Sequence, residues 1–235
     1  ITSISFDDTA MKSGDTPTLT IVFSETVASF ASNDDVTCAS GSLAAMSSSD
    51  DITWTGTFTP TANTEDDTNV CSVATSYTDA YGNGVGEAQD TANYEVETQA
   101  PSITSISFDD TAMKSGDTPT LTIVFSEAVA SFASGDDVTC PAGSLATMTS
   151  SDQITWTGTF TPTSSTTDLV NTCDVGTGYL DDAGNSGGAG QSANYKVDTV
   201  SPTVSSITFA DTALKAGETS LVTIVFSEAV AGFAN

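Results

Sequence analysis

The sequence predicts an all-β chain: tandem antiparallel β-sandwiches joined end to end by short linkers. Three observations predict it. A long internal repeat recurs nearly unchanged, apolar side chains alternate with hydroxyl ones, and turn residues punctuate the alternation at short intervals. The segment ITSISFDDTAMKSGDTPTLTIVFSE begins at Ile1 and recurs word for word at Ile103. A third version, SSITFADTALKAGETSLVTIVFSE, begins at Ser205. Cys38 and Cys140, Trp54 and Trp156, and Cys71 and Cys173 are each 102 positions apart, whereas Tyr94 and Tyr195 are 101 apart. One residue is therefore lost in a loop. A period of about 100 residues is too long for a solenoid unit and suits one independently folding domain. The expected domains are residues 1–98, 99–199 and 200–235, the last holding only the first two strands of a third copy. Because the chain opens on Ile1 within a strand, it is expected to be an excerpt of a longer array.

Within one repeat the elements follow in order. The first strand is expected at 2–6. In the second, 18–24, Leu19, Ile21 and Phe23 share a face. Further strands are expected at 35–39, 43–46, 52–59, 70–77 and 92–97. In the fifth, Ile52, Trp54 and Phe58 point one way while Thr53, Thr55, Thr57 and Thr59 point the other. Gly14, Gly41, Pro60 and Gly82-Asn83 supply the breaks. No segment shows helical periodicity. Seven short strands bounded by turns form the pattern of an immunoglobulin-like sandwich, and the strands are labelled A, B, C, C′ (or D), E, F and G.

Four cysteines occupy two equivalent pairs. Cys38 falls late in C and Cys71 early in F, antiparallel neighbours in one sheet of such a sandwich. The bridges Cys38–Cys71 and Cys140–Cys173 are therefore expected, and they imply an oxidising, extracellular compartment. Zinc is the competing reading, but the chain has no histidine and no CxxC spacing. The antibody arrangement of a B–F bridge around a tryptophan on C is absent, and Trp54 and Trp156 read as core residues on E.

Charge excludes several function classes. Thirty-one acidic residues face four lysines, for a formal net charge of −27. Such a surface repels nucleic acid and anionic membranes, and it suits divalent cations. No apolar run reaches the roughly 18 residues of a membrane span. Catalysis is not expected: serine has no histidine to activate it, and Lys12, Lys114 and Lys215 sit in the A–B turn of each copy. No glycine-rich phosphate loop is present.

The succession SFxDTAxKxG, TIVFSExV, DDVT, TWTGTFTPT, SYTDxxGN and NYxVDTxxP resembles the bacterial Ig-like repeats that build the stalks of giant secreted and surface adhesins. The resemblance covers both complete copies and the start of the third. It implies a tandem fibre of sandwiches, often stiffened by calcium at the junctions. Two departures stand out: paired cysteines are unusual in such repeats, and Glu97 stands where the second copy has Asp198.

In an Ig-like sandwich the N-terminus and the B–C and F–G loops share the upper end, and the A–B and E–F loops share the lower. Glu127 is then expected beside Asp181 and Asn185 of the LDDAGN loop, with Glu97 delivered by the linker VETQAP. Asp7, Asp8 and Asp15, with Asp66 and Asp67 from the E–F loop, are expected at the lower end of the first repeat. Asp198 and Glu228 are expected at the second junction, with Asp109, Asp110 and Asp117 at the lower end of the second repeat. Oxygen ligands converging from separate loops are what calcium requires, so Glu97, Glu127, Asp181, Asn185, Asp198, Glu228, Asp8 and Asp110 are the candidate ligands. A solvated acidic surface is the alternative.

The leading expectation is a non-enzymatic, extracellular adhesin-type stalk whose partners are its own neighbouring repeats. The alternative is a subunit that assembles with copies of itself into a filament or appendage. A carbohydrate-binding module comes third, since Tyr81 is its best aromatic platform and its equivalent is Ala183.

Overall fold

The computed structural model describes residues 1–84 and 87–233. Strands follow the alternation read from the sequence. In the first repeat, β1 (Ser3–Phe6), β2 (Ala10–Lys12) and β3 (Thr18–Val22) precede one helical turn, α1 (Ser32–Asp35). Then come β4 (Val36–Cys38), β5 (Gly41–Leu43) and β6 (Thr53–Pro60). The repeat finishes with β7 (Glu65–Asn69), β8 (Cys71–Val73), β9 (Gln89–Asp90) and β10 (Tyr94–Glu97).

One layer is a four-stranded sheet in the order β1-β3-β6-β5. Its outer face is hydroxylic, with Thr18 opposite Thr57 and Thr20 opposite Thr55. The facing layer consists of two three-stranded ladders, β4-β8-β9 and β2-β10-β7. Only Val70 separates β7 from β8, and Asn69 seals that interruption. Its Nδ2 donates to the Asp66 and Tyr94 carbonyls at 2.8 and 3.2 Å, and its own N–H donates to Asn93 Oδ1 at 2.9 Å. At 1% exposure, Asn69 supplies inside the core what the broken ladder cannot.

Between the layers, Phe6, Phe58 and Tyr94 meet edge to face, with centroids 5.0–5.5 Å apart. A second group joins Phe23, Phe30 and Tyr77, and Trp54 packs on Phe30. Each such pair contributes about 0.5–1.5 kcal/mol beyond its burial. Burial raises the Tyr94 phenol to about 12, and its O–H donates to the Ala39 carbonyl. Cys38 lies directly opposite Cys71 in the β4–β8 register, and the two are bridged, as are Cys140 and Cys173. Each bridge closes a separation of 33 residues. In the chain-entropy model that stabilises a domain by about 3–4 kcal/mol.

The second repeat repeats the plan. It comprises β11 (Ile103–Phe108), β12 (Ala112–Lys114), β13 (Thr120–Phe125), α2 (Ser134–Asp137), β14 (Val138–Thr139), β15 (Gly143–Leu145) and β16 (Thr155–Pro162). It ends with β17 (Thr167–Asn171), β18 (Asp174–Val175), β19 (Gly190–Gln191) and β20 (Tyr195–Asp198). Each complete repeat holds a separate apolar cluster. The third segment is a hairpin, β21 (Val204–Phe209) against β22 (Val222–Phe226), on which Ile207, Phe209 and Val225 are exposed.

The structure corrects several element boundaries. The strand expected at 70–77 is shorter, running from Cys71 to Val73, and a separate strand, β7, precedes it from Glu65, so Asp66 and Asp67 stand on a strand rather than in a loop. Polar side chains on an outward face masked it. The strand expected at 43–46 is Gly41–Leu43, because the missing side chain of Gly41 lets the chain cross the Phe58 ring. A Cβ at Gly41 would stand 2.0 Å from Phe58 Cζ. The short β2, absent from the sequence reading, pairs parallel with β10.

Replacing Gly41 by Ala should therefore overpack the first core and destabilise that repeat by about 1–3 kcal/mol, leaving the second unchanged. Calorimetry of the chain should then resolve an earlier-melting repeat. A single unshifted transition would contradict this packing.

Candidate functional site at the junction between repeats

The parallel register aligns Ala10, Met11 and Lys12 with Glu95, Val96 and Glu97. The turn after β2 and the linker after β10 therefore leave side by side at the lower end of the first repeat. Lys12 is held within that turn: Asp15 pairs with its ammonium at 3.3 Å and accepts its N–H at 2.9 Å.

The Asp181–Asn185 loop of the second repeat meets this end. Gly184 adopts φ +94°, a left-handed conformation that glycine takes without penalty. That turn lets Asp181 Oδ1 accept the Gly184 and Asn185 amides at 2.6 and 2.8 Å. Asn185 Nδ2 donates to Asp181 Oδ2 at 2.8 Å, which orients the amide. The same Nδ2 donates across the junction to the Glu97 carbonyl at 3.0 Å, and Oδ1 accepts the Ser13 N–H at 2.8 Å. Asp181 and Asn185 are only 5% and 3% exposed. One neutral amide thus grips two backbone groups of the preceding repeat.

Carboxylates surround this clamp. Burial raises Glu97 above the ordinary glutamate value, and repulsion from Glu65, Glu127 and Asp181 adds to it against a hydrogen bond from Gln99. Burial likewise raises Glu127, reinforced by Asp181 and Glu65. Glu97, Glu127, Asp181 and Asn185 are therefore brought to one junction, as the topology implies. Among the described residues, however, no group of three or more acidic or cysteine side chains is gathered closely enough to hold a metal ion.

The remaining candidates lie elsewhere. Asp198 Oδ1 accepts from Thr167 Oγ1 at 2.9 Å and from the Val200 N–H at 3.3 Å. Glu228 Oε1 is buried with no partner among the described residues. Asp8 and Asp110 accept the Ala10 and Ala112 amides, at 3.0 and 2.8 Å, in the bends that lead into β2 and β12. Ser13 and Glu65 escaped the sequence reading, since Ser13 acts through its backbone and Glu65 opens the unrecognised strand β7. The recurring Asp-x-x-Gly-Asn spacing at 79–83 and 181–185 was the available signal for the clamp.

Because Glu97 and Glu127 are raised when the repeats are docked, the docked state binds protons more tightly than the separated state. Docking should therefore strengthen as pH falls through the raised values, hold that gain below the ordinary value of 4.5, and lose it as pH rises. Distances between spin labels on the two repeats should spread more broadly at neutral than at mildly acidic pH. The double variant Glu97→Gln, Glu127→Gln should abolish the dependence.

Known proteins place the chain as a whole. The family model for the bacterial Ig-like domain matches residues 1–96, 97–197 and 198–235. No curated protein matches. Among solved structures, the Escherichia coli adhesin FdeC aligns over 97% of this chain and 73% of its own, at 14% identity and a TM-score of 0.39. SGBP-B of a Bacteroides ovatus mixed-linkage glucan utilization locus, solved with a mixed-linkage heptasaccharide, aligns over 92% and 51%, at 12% identity and a TM-score of 0.22. Likenesses that distant carry no argument about function. With every segment matched by one family model, the chain belongs to the bacterial Ig-like domain family.

Proposed function

We propose that this chain is a non-enzymatic structural region of an extracellular adhesin-type stalk, in which sandwiches are held end to end at a preferred orientation. The observation that carries the reading is the Asn185 clamp, which ties Ser13 and the Glu97 carbonyl to the next repeat. Self-contained cores and an internal disulfide in each complete repeat support it, because a stalk element must resist unfolding outside the cell. Membership of a family of tandem Ig-like repeats supports it too. Calcium belongs to the proposal as an ion that would draw together the Glu97, Glu127 and Asp181 carboxylates, which this structure does not gather into a metal site, and so offset the burial and mutual repulsion that raise Glu97 and Glu127.

Small-angle scattering of Asn185→Ala tests the clamp. The variant should keep the melting temperature of each sandwich while its distance distribution broadens, because two inter-repeat hydrogen bonds are lost. A distribution identical to that of the parent would sink the stalk reading. Adding calcium to chelated protein should restore order, with stabilisation of about 2.7 kcal/mol at a hundredfold excess over the dissociation constant. No response to calcium would remove the ion from the proposal and leave the clamp standing.

A further inference from the structure

We infer that the upper end of the first repeat is a docking face for the lower end of a further copy of the second repeat, with Tyr81 as its anchor. This rests on the end-to-end reading above and adds a rule for which repeat follows which.

The upper end of the first repeat carries the same preformed clamp. Asp79 Oδ1 accepts the Tyr81 and Asn83 amides at 2.8 Å, and Asn83 Nδ2 donates to Asp79 Oδ2 at 2.7 Å. Asn83 is thereby oriented by the same internal bonds as Asn185, and a cavity of about 110 Å³ lined by Ile1, Phe23, Glu25, Tyr77, Asp79 and Asn83 lies beside it. Two positions in the loop differ. Ala80 and Tyr81 stand where the second repeat has Asp182 and Ala183.

The existing junction shows what those positions face. Asp182 and Ala183 line a groove of about 410 Å³ with Met11, Asp67, Glu95 and Glu97 of the preceding repeat. Acid faces acid there, and the small Ala183 leaves the groove open. The lower end of the second repeat has the same backbone plan but different side chains. Lys196 pairs with Ala112 as Glu95 pairs with Ala10, and Asp168 pairs with Val197 as Asp66 pairs with Val96. By that register Lys196 replaces Glu95, and Leu169 replaces Asp67.

Tyr81 is 91% exposed and Leu169 49% exposed. Among the described residues both ion pairs belong to turn lysines, Lys12 and Lys114, so Lys196 keeps its charge free. Docked as at the existing junction, the Tyr81 ring would fill the groove over Met113 and Leu169 and meet the Lys196 ammonium in a cation–π contact. Ala80 adds no charge against Asp198. Under the lower end of a first-type repeat, the same ring would keep Met11 but meet Asp67 and Glu95 in place of the leucine and the lysine. Specificity is a difference between these two ends, and both sides of it lie in these substitutions.

The test is a chain with residues 103–203 repeated ahead of Ile1, compared with one carrying residues 1–102 there instead. Hydrogen exchange of the amide that Asn83 would accept is the readout: Ser115 of the added second repeat, or Ser13 of the added first repeat. Exchange at Ser115 should be about tenfold slower than at Ser13 of the added first repeat. Tyr81→Ala should erase that difference and Tyr81→Phe should keep most of it. Equal exchange behind both added repeats, or protection unaffected by Tyr81→Ala, would overturn the inference. The native junction is the internal reference. If Ser13 facing Asn185 is protected and Ser115 is not, this inference fails while the stalk reading stands; if neither is protected, the stalk reading fails as well.

Discussion

The parallel pairing of β2 with β10 is the constraint on which the rest of the structure depends. An antiparallel sandwich alone would close each core yet leave the first strand and the exit linker unrelated. Three residues, Ala10 to Lys12, cross to the second layer and run beside the last strand. The turn that follows then reaches the lower end together with the linker. Both hydrogen bonds of the Asn185 clamp follow from that coincidence, because Asn185 needs a donor from the turn and an acceptor from the last strand within one amide's reach.

The residue type at that point matters as much as its place. A carboxamide donates through one atom and accepts through another, so it satisfies an N–H and a carbonyl at once. An aspartate there could accept from Ser13 but could not donate to Glu97, and it would add charge to a cluster that already raises Glu97 and Glu127. Asp181 carries the orienting role, where its charge is absorbed by two backbone amides and by the Asn185 side chain. The acids of this chain thus fall into two physical groups. Some, such as Asp8, Asp50 and Asp79, are tied into local turns by backbone amides. Others gather where two repeats meet and repel one another.

The close likeness of the repeats, word for word over residues 1–25 and 103–127, makes their differences informative. Core positions such as Leu19 and Leu121, Phe58 and Phe160, or Tyr94 and Tyr195 are equally buried. Differences at the ends include Asp67 and Leu169, Glu95 and Lys196, and Tyr81 and Ala183. A sandwich core tolerates little change in volume, whereas an end face is free to vary until a neighbour is docked on it.

The sequence by itself determined the all-β class, the repeat, the apolar face of β3 and β6, and the pairing of Cys38 with Cys71. All of these rest on local alternation or on translation by one period. It also brought Glu97, Glu127, Asp181 and Asn185 to one junction through strand order alone. Only the tertiary structure decided that β2 exists, that Asp66 and Asp67 lie on a strand, and that Asn185 reaches a backbone amide 172 positions away. A three-residue strand carries too little periodicity to be read. A polar strand edge looks like a loop until its partner is known. A side chain whose partner is backbone leaves no residue-type signal, because every residue except proline offers the same N–H.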